Sequence, residues 1–365
     1  MDGCDASTGG REPNRNALAA ATDQQRAELR TAGMEKHFLA YFQSIRRDVL
    51  IKTAILFLAI ILVLGASSDG RTESGKLRTA YAAIAGSQVP IWMLKESRTL
   101  EQQGIDMELV YVQGASTVTA GLLSGEIQIA VLGTTAIVRA YGRGAKDLVL
   151  IGGVVNNPTF SVMVHPSISK PEDLKGRQVA ITRFGGSVDF LTRWFLRKAK
   201  LEPMKDVPLV QVGDVPSTIS ALEKGSAFAT VIEPPGPTIL RKRGFKTLVD
   251  LPDTGIEYQF LSLATTRTFV RQNKSLVASF IKTYLQSVTE FKQDRPKGLQ
   301  VLQKYLKLKD ADALQDVYET YRKNVPGNGD LNTEGIRTII NEELSAEERK
   351  GVRAEDLIDA SYIRR

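Results

Sequence analysis

Residues 114–130, GASTVTAGLLSGEIQIA, and residues 215–230, VPSTISALEKGSAFAT, spell one unit twice. Each copy opens on a small polar turn, runs as a short helix with one apolar face, closes on a glycine and passes into a strand. Ser116 and Thr117 correspond to Ser217 and Thr218, and Leu122–Gly125 to Ala221–Gly225. An echo at this distance constrains the chain to two similar α/β lobes. Two facing lobes enclose a cleft, and the Ser and Thr groups at helix starts are then within reach of a small ligand.

The flanking pattern agrees. LRTAYAAI reads as a strand, Gly86 and Ser87 turn it into a helix through IWMLKESRTLEQQG that ends at Gly104, and IDMELVYV alternates as a second strand. IQIAVLG, a helix over about 135–141 and the strand DLVLIGGVV complete a first lobe, assigned to 76–165. A second lobe, 166–258, opens at SISKPEDLKG, where Pro171, Glu172 and Asp173 suit the first turn of a short helix. QVAITRFGG, the helix SVDFLTRWFLRKAKL, VPLVQV, the second echo unit, FATVIEPP and FKTLVDL follow. Phe190, Leu191, Trp194 and Phe195 recur at three- and four-residue spacing, the stripe of a buried helix face. Over 259–365, YQFLSLATTRTFV returns towards the first lobe, and a helical pattern runs from Lys274 to about Leu344 with a break at Pro326, Gly327 and Gly329. Strands alternating with helices argue for parallel βαβ units.

Composition removes several functions. A length of 365 residues leaves room for two domains, and a net charge of +7 without a dense basic block gives no reason to expect a nucleic-acid partner. Cys4 is the single cysteine, and His37 and His165 are the only histidines. A disulfide framework, a multi-cysteine metal site and a His-rich metal centre have no residues to use, and no cofactor is expected. No GxSxG elbow, P-loop or HExxH occurs, so the reading is non-enzymatic.

The N-terminus stands apart. Residues 1–49 form a polar tail, disordered or absent from the mature protein, and Met34 offers an alternative start. Arg46, Arg47 and Lys52 precede an apolar stretch, Thr53–Ala66, within the 50–68 segment, read as a signal-peptide core or a membrane anchor, and the small residues Ser67 and Ser68 follow. That order matches a secretory signal cleaved after Ala66 or Ser68, and the stretch is short against the ~20 residues of a membrane span. The alternative is an uncleaved anchor over Leu50–Leu64. Either reading starts the globular body near Lys76 and places it in the periplasm or otherwise outside the cytoplasm. With no cysteine after the apolar stretch, a lipid anchor is not indicated.

Ligands of open α/β sheets bind beyond the carboxyl ends of the strands, where helix N-termini offer unpaired NH groups and partial positive charge. Five such junctions carry small polar residues: Ser87 with Gln88, Ser116 with Thr117, Thr134 with Thr135, Gly186 with Ser187, and Ser217 with Thr218. The competing reading of each is a local helix cap, which is kept for Ser217 and Thr218. Asn156 and Asn157 sit where a first crossover begins, as ligand donors or as a turn before Pro158. Arg183 serves an acidic ligand group or solvent, and Glu233, before Pro234 and Pro235, serves an ammonium, a ring NH or the hinge backbone. Asp189 supports the helix dipole. Tyr81 and Phe184 are walls for an apolar portion or core. The candidate ligand set is Ser87, Gln88, Ser116, Thr117, Thr134, Thr135, Asn157, Arg183, Gly186, Ser187 and Glu233.

Four segments in order, PIWMLKESRTLEQQGIDMELVYV, LLSGEIQIAVLGTT, ISKPEDLKGRQVAI and AEDLIDASYIRR, resemble the nitrate/sulfonate/taurine-type substrate-binding proteins of ABC transporters. The likeness covers about 77–363 and departs at Gln128, where the family commonly has Asp. It implies an α/β, two-lobed periplasmic binding protein type II fold with two hinge crossover strands. It also implies capture of a small anionic or heteroaromatic solute by a monomer, and delivery to ABC permease subunits. Two alternatives share the fold: a membrane-anchored ligand sensor, and an enzyme of thiamine-pyrimidine or menaquinone type. The first enzyme type needs an active-site histidine and a cysteine-rich iron motif, which Cys4, His37 and His165 do not provide. The second acts in the cytoplasm and has no use for an export segment.

Overall fold

In the computed structural model, which describes residues 76–363, the first lobe runs β1 (Leu77–Tyr81), a 3-10 turn (Gly86–Gln88), α1 (Val89–Ser97), α2 (Thr99–Gln102), β2 (Met107–Tyr111), α3 (Ala115–Ser124), β3 (Ile129–Gly133), α4 (Thr134–Gly142) and β4 (Leu148–Val155). The expectations for residues 1–49 and for the 50–68 segment lie outside the described residues. The second lobe runs β5 (Ser161–Val164), β6 (Val179–Ile181), α5 (Ser187–Lys198), β7 (Leu209–Gln211), α6 (Val215–Glu223), β8 (Ala229–Ile232), α7 (Gly236–Lys242) and β9 (Lys246–Asp250). The chain then returns through β10 (Leu261–Thr266) to α8 (Arg267–Gln272), α9 (Lys274–Gln293), α10 (Arg295–Leu306), α11 (Ala311–Asn324), α12 (Thr333–Glu343) and α13 (Ala346–Arg349).

The two sheets have one plan. Their orders are β2-β1-β3-β10-β4 and β7-β6-β8-β5-β9. β1 lies parallel between β2 and β3 as β6 does between β7 and β8, and an antiparallel strand delivered by a crossover, β10 or β5, separates β3 from β4 and β8 from β9. The repeated sequence unit is the helix that follows β2 in one lobe and β7 in the other, α3 and α6. β3 and β4 are buried along their whole length, which explains their unbroken apolar sequences.

Three boundaries differ from the sequence reading. Ser161–Val164 pairs with β8 and β9, so the second lobe's sheet begins at 161 and not after 165, while the first crossover runs over 156–160, from Asn156 where the sequence reading put its start. The helix expected through IWMLKESRTLEQQG breaks at Arg98 (φ 55), and Ser97 Oγ accepts the Thr99 NH at 3.3 Å to restart it. The C-terminal run breaks at Asp294 and at 307–310 as well as at 325–332. Asp294, Asp310 and Asn332 there cap the next helices through the NH groups of Lys297, Ala313 and Gly335. Gln128, the departure from the family pattern, ties its turn to the sheet by accepting the Arg78 NH at 2.8 Å and donating to Gly125 O at 2.7 Å.

Both crossovers meet in a block of rings. Phe160 lies edge-on to Phe260 at 4.6 Å, and Tyr258 stacks between Phe260 (6.3 Å) and Phe190 of α5 (5.1 Å). The Phe190, Leu191, Trp194 and Phe195 stripe is buried here, as its spacing indicated. Burying one such ring contributes about 1.5–3 kcal/mol, so the block holds the two crossovers together. α9 and α10 pack on α1, where Trp92 stacks on Tyr305 at 4.7 Å, and α12 packs on α4. α11 touches both the Gly86–Gln88 turn of the first lobe and α7 of the second.

Candidate functional site: the interlobe cleft

A cleft between the lobes is lined from the first by Gln88, Tyr111, Gln113, Gly114 and Gly133, and from the second by Thr182, Arg183, Ser187, Asp214, Thr218 and Glu233. Phe160, Phe260 and Leu261 of the hinge form its floor. The space open to a water-sized sphere is about 90 Å³. One water needs about 10–15 Å³ on that measure, so the cleft in this form suits a solute of a few heavy atoms.

Three helices point their N-termini at this space. α3 and α5 start from glycine N-caps, Gly114 and Gly186, so no side-chain cap closes either end. α6 is closed by Asp214, whose carboxylate accepts the Ser217 NH at 2.8 Å. Uncapped ends keep NH groups and partial positive charge available to an anion. Glycine also lets the lobes meet. A Cβ on Gly133 would collide with Ser187 Oγ, one on Gly114 with Arg183 Nε, and one on Gly213 would lie 3.3 Å from Gln113 Nε2.

Gln88 Oε1, Arg183 Nε and Ser187 Oγ are buried without a hydrogen-bond partner in the protein, and all three residues line the cleft. Buried polar atoms are normally paired, so three orphans in one cavity mark the place of a missing partner. Glu233 is the other buried polar group of the cleft. Its Oε2 accepts the Tyr321 hydroxyl at 2.5 Å, and burial pushes its carboxyl up to about 7 against the opposing pull of that hydrogen bond.

Gln88, Arg183, Gly186, Ser187 and Glu233 of the sequence-derived set thus come together. Ser87 stands behind Glu233 and is buried. Thr134 and Thr135 turn to the hinge, bonding Ser262 at 2.7 Å and Tyr258 at 3.0 Å. Ser116 and Thr117 are exposed, and the α3 start reaches the cleft through Gly114 and Ala115. Asn156 donates to Asp330 O at 2.8 Å and Asn157 to Asn324 Oδ1 at 3.0 Å, outside the cleft. Thr218, read as a cap residue, lines the cleft while donating to Asp214 O at 2.8 Å. Tyr81 packs on Trp92 and Tyr111. Tyr111, Gln113, Thr182 and Asp214 were not singled out, although Gln113 and Asp214 directly precede the two echo units.

Ser116 and Phe184 border a separate groove on the outer side. Arg139 of α4 lies there 3.1 Å from Glu343 of α12 and 3.9 Å from Asp189 of α5. Arg193 bonds Asp189 at 2.6 Å, and Arg197 bonds Glu342 at 3.1 Å. Asp189 also accepts the Gly185 NH at 2.9 Å, so it fixes the α5 start and the lobe contact together. Among the described residues no group of three or more His, Cys, Asp or Glu is placed to hold a metal ion, and no helix is long and apolar enough to cross a membrane.

Two lobes of this topology, hinged by two crossovers around a small polar cleft, define the periplasmic-binding-protein fold. A structure from Bordetella bronchiseptica RB50 superposes with a TM-score of 0.71 at 16% identity, covering 79% of this chain and 96% of that one. The periplasmic aliphatic sulphonate binding protein SsuA of Escherichia coli superposes with a TM-score of 0.55 at 22% identity, over 69% and 79%. The chain belongs to the NMT1/THI5-like family, whose model matches residues 100–297. The taurine-binding periplasmic protein of Escherichia coli (strain K12) is 29% identical over 147 residues, 39% of this chain and 43% of its own.

Proposed function

We propose that this protein is the extracytoplasmic solute receptor of an ABC importer, a monomer that closes its lobes on a small acid such as a sulfonate and hands it to a membrane permease. One observation carries the reading: the uncapped starts of α3 and α5 converge with the unpartnered Arg183 Nε and Ser187 Oγ on a single small cavity. Helix N-termini and a guanidinium are the donors that suit a compact oxyanion. Relatives named for taurine and for sulphonates bear on the same chemistry.

A thermal-shift series on the purified protein with taurine, ethanesulfonate and nitrate tests the reading. A solute that binds only the native state at about 100 times its Kd stabilises it by about 2.7 kcal/mol, a shift readily seen in such a series. No shift with any of the three contradicts it.

A further inference from the structure

We propose that Glu233 receives an N–H-bearing group of the solute, an ammonium or an amino-substituted ring, and releases its own proton as it does so, so that affinity rises with pH. This rests on the receptor reading of the cleft.

Glu233 directly follows β8, lines the cleft and is only 6% exposed. It is held from behind by Tyr321 of α11, which donates to Oε2 at 2.5 Å. The Tyr321 ring is fixed against Gly86, where a Cβ would come within 2.7 Å of Cε2. The residue next to Ser87 is Gln88, whose Oε1 is a buried acceptor without a partner in the same cavity. The Glu233 carboxyl and the Gln88 carboxamide oxygen are thus two acceptors in one cleft lining, and an N–H donor is the solute group that such acceptors suit.

The other ionisable side chains of the cleft are Arg183 after β6, Asp214 at the start of α6 and Tyr111 at the end of β2. Charges on the helices behind it are engaged elsewhere: Lys242 of α7 with Asp310 and Asp312, and Asp316 of α11 with Thr238. Burial is thus the main influence on Glu233, and it holds the carboxyl near half-protonation at neutral pH, at about 7. When an ammonium arrives, the O–H bond of the neutral acid breaks, the proton passes to solvent, and the carboxylate pairs with the cation. No covalent bond to the solute forms.

Calorimetric titration of taurine and of ethanesulfonate, its counterpart without the amine, tests this between about pH 5.5 and about pH 8.5. Expected for taurine is a Kd that falls about tenfold per pH unit below 7 and levels above it, with heats that reveal proton release to buffer. Glu233→Gln, which keeps an acceptor for Tyr321, should flatten the profile, and ethanesulfonate should bind more weakly and without pH dependence. Taurine binding that is flat with pH, or no tighter than ethanesulfonate, overturns the proposal and leaves the receptor reading standing. If neither probe binds the wild-type protein at any pH, both fall together.

Discussion

Arg183, in the loop after β6, lies against the bare α-carbon of Gly114 at the start of α3, so a guanidinium of one lobe occupies the room of a missing side chain in the other. The contact brings a positive charge to an uncapped helix N-terminus, an arrangement that is repulsive unless an anion joins it. Nε remains without a partner in the protein.

Gly114→Ala should harm both fold and binding. Its φ of 91 strains any side chain by about 1–2 kcal/mol, and the new Cβ strikes Arg183. Gly104→Ala is the control, with φ 78 and nothing within 4 Å of its Cβ. Denaturant titration should show similar losses for the two variants, while only Gly114→Ala weakens solute binding, by tenfold or more.

Arg183→Met removes a donor that stabilises no other group of the protein. A charge-assisted hydrogen bond contributes about 1.5–3 kcal/mol, so sulfonate affinity should drop about 10- to 100-fold. The melting temperature without solute should stay close to that of the wild type. A large loss of stability with unchanged affinity would assign Arg183 to the fold instead.

Glu233 makes the empty protein sensitive to pH. Its carboxyl sits at about 7 in the folded state, above the ordinary 4.5, so between these values the native protein holds more proton than the unfolded chain. The contribution is fully present below about 4.5 and is lost as pH rises through about 7, amounting to on the order of 3 kcal/mol. Across that range the unfolding free energy of the wild type should fall relative to that of Glu233→Gln, whose side chain stays neutral, by on the order of 3 kcal/mol as pH rises; parallel curves would contradict the burial of the charge.

Arg139→Met should act on the outer groove. Glu343, whose side chain is 6% exposed and whose carboxyl is raised by burial, loses its 3.1 Å partner. Removing one member of a buried pair costs about 3–5 kcal/mol at full burial, and less here because Arg139 is 28% exposed. Adding Glu343→Gln should restore part of the loss in a double-mutant cycle.

The two-lobe plan was legible because β3, β4 and the echo helices carry local signals: continuous apolar runs, an apolar stripe and closing glycines. The lobe to which the strand after the first crossover belongs was not, since Ser161–Val164 is a strand in either sheet by its own composition, and only pairing with β8 and β9 assigns it. The cleft was half legible for a related reason. Gln88, Arg183, Gly186, Ser187 and Glu233 follow strand ends, which topology directs to the cleft. The hydroxyls of Ser116, Thr117, Thr134 and Thr135 sit at equivalent junctions, but helix phase turns the first pair to solvent and the second to Tyr258 and Ser262. Sequence locates a helix start more easily than the direction of the side chains upon it.

Calorimetric titration of the purified wild-type protein and of Arg183→Met with taurine and short alkanesulfonates addresses the central claim most directly. Saturable binding of one solute per chain by the wild-type protein, weakened at least tenfold in Arg183→Met, is the predicted result. Absence of saturable heat with every one of these solutes, from a protein shown to be folded, would contradict the assignment of the cleft as a receptor for small acids.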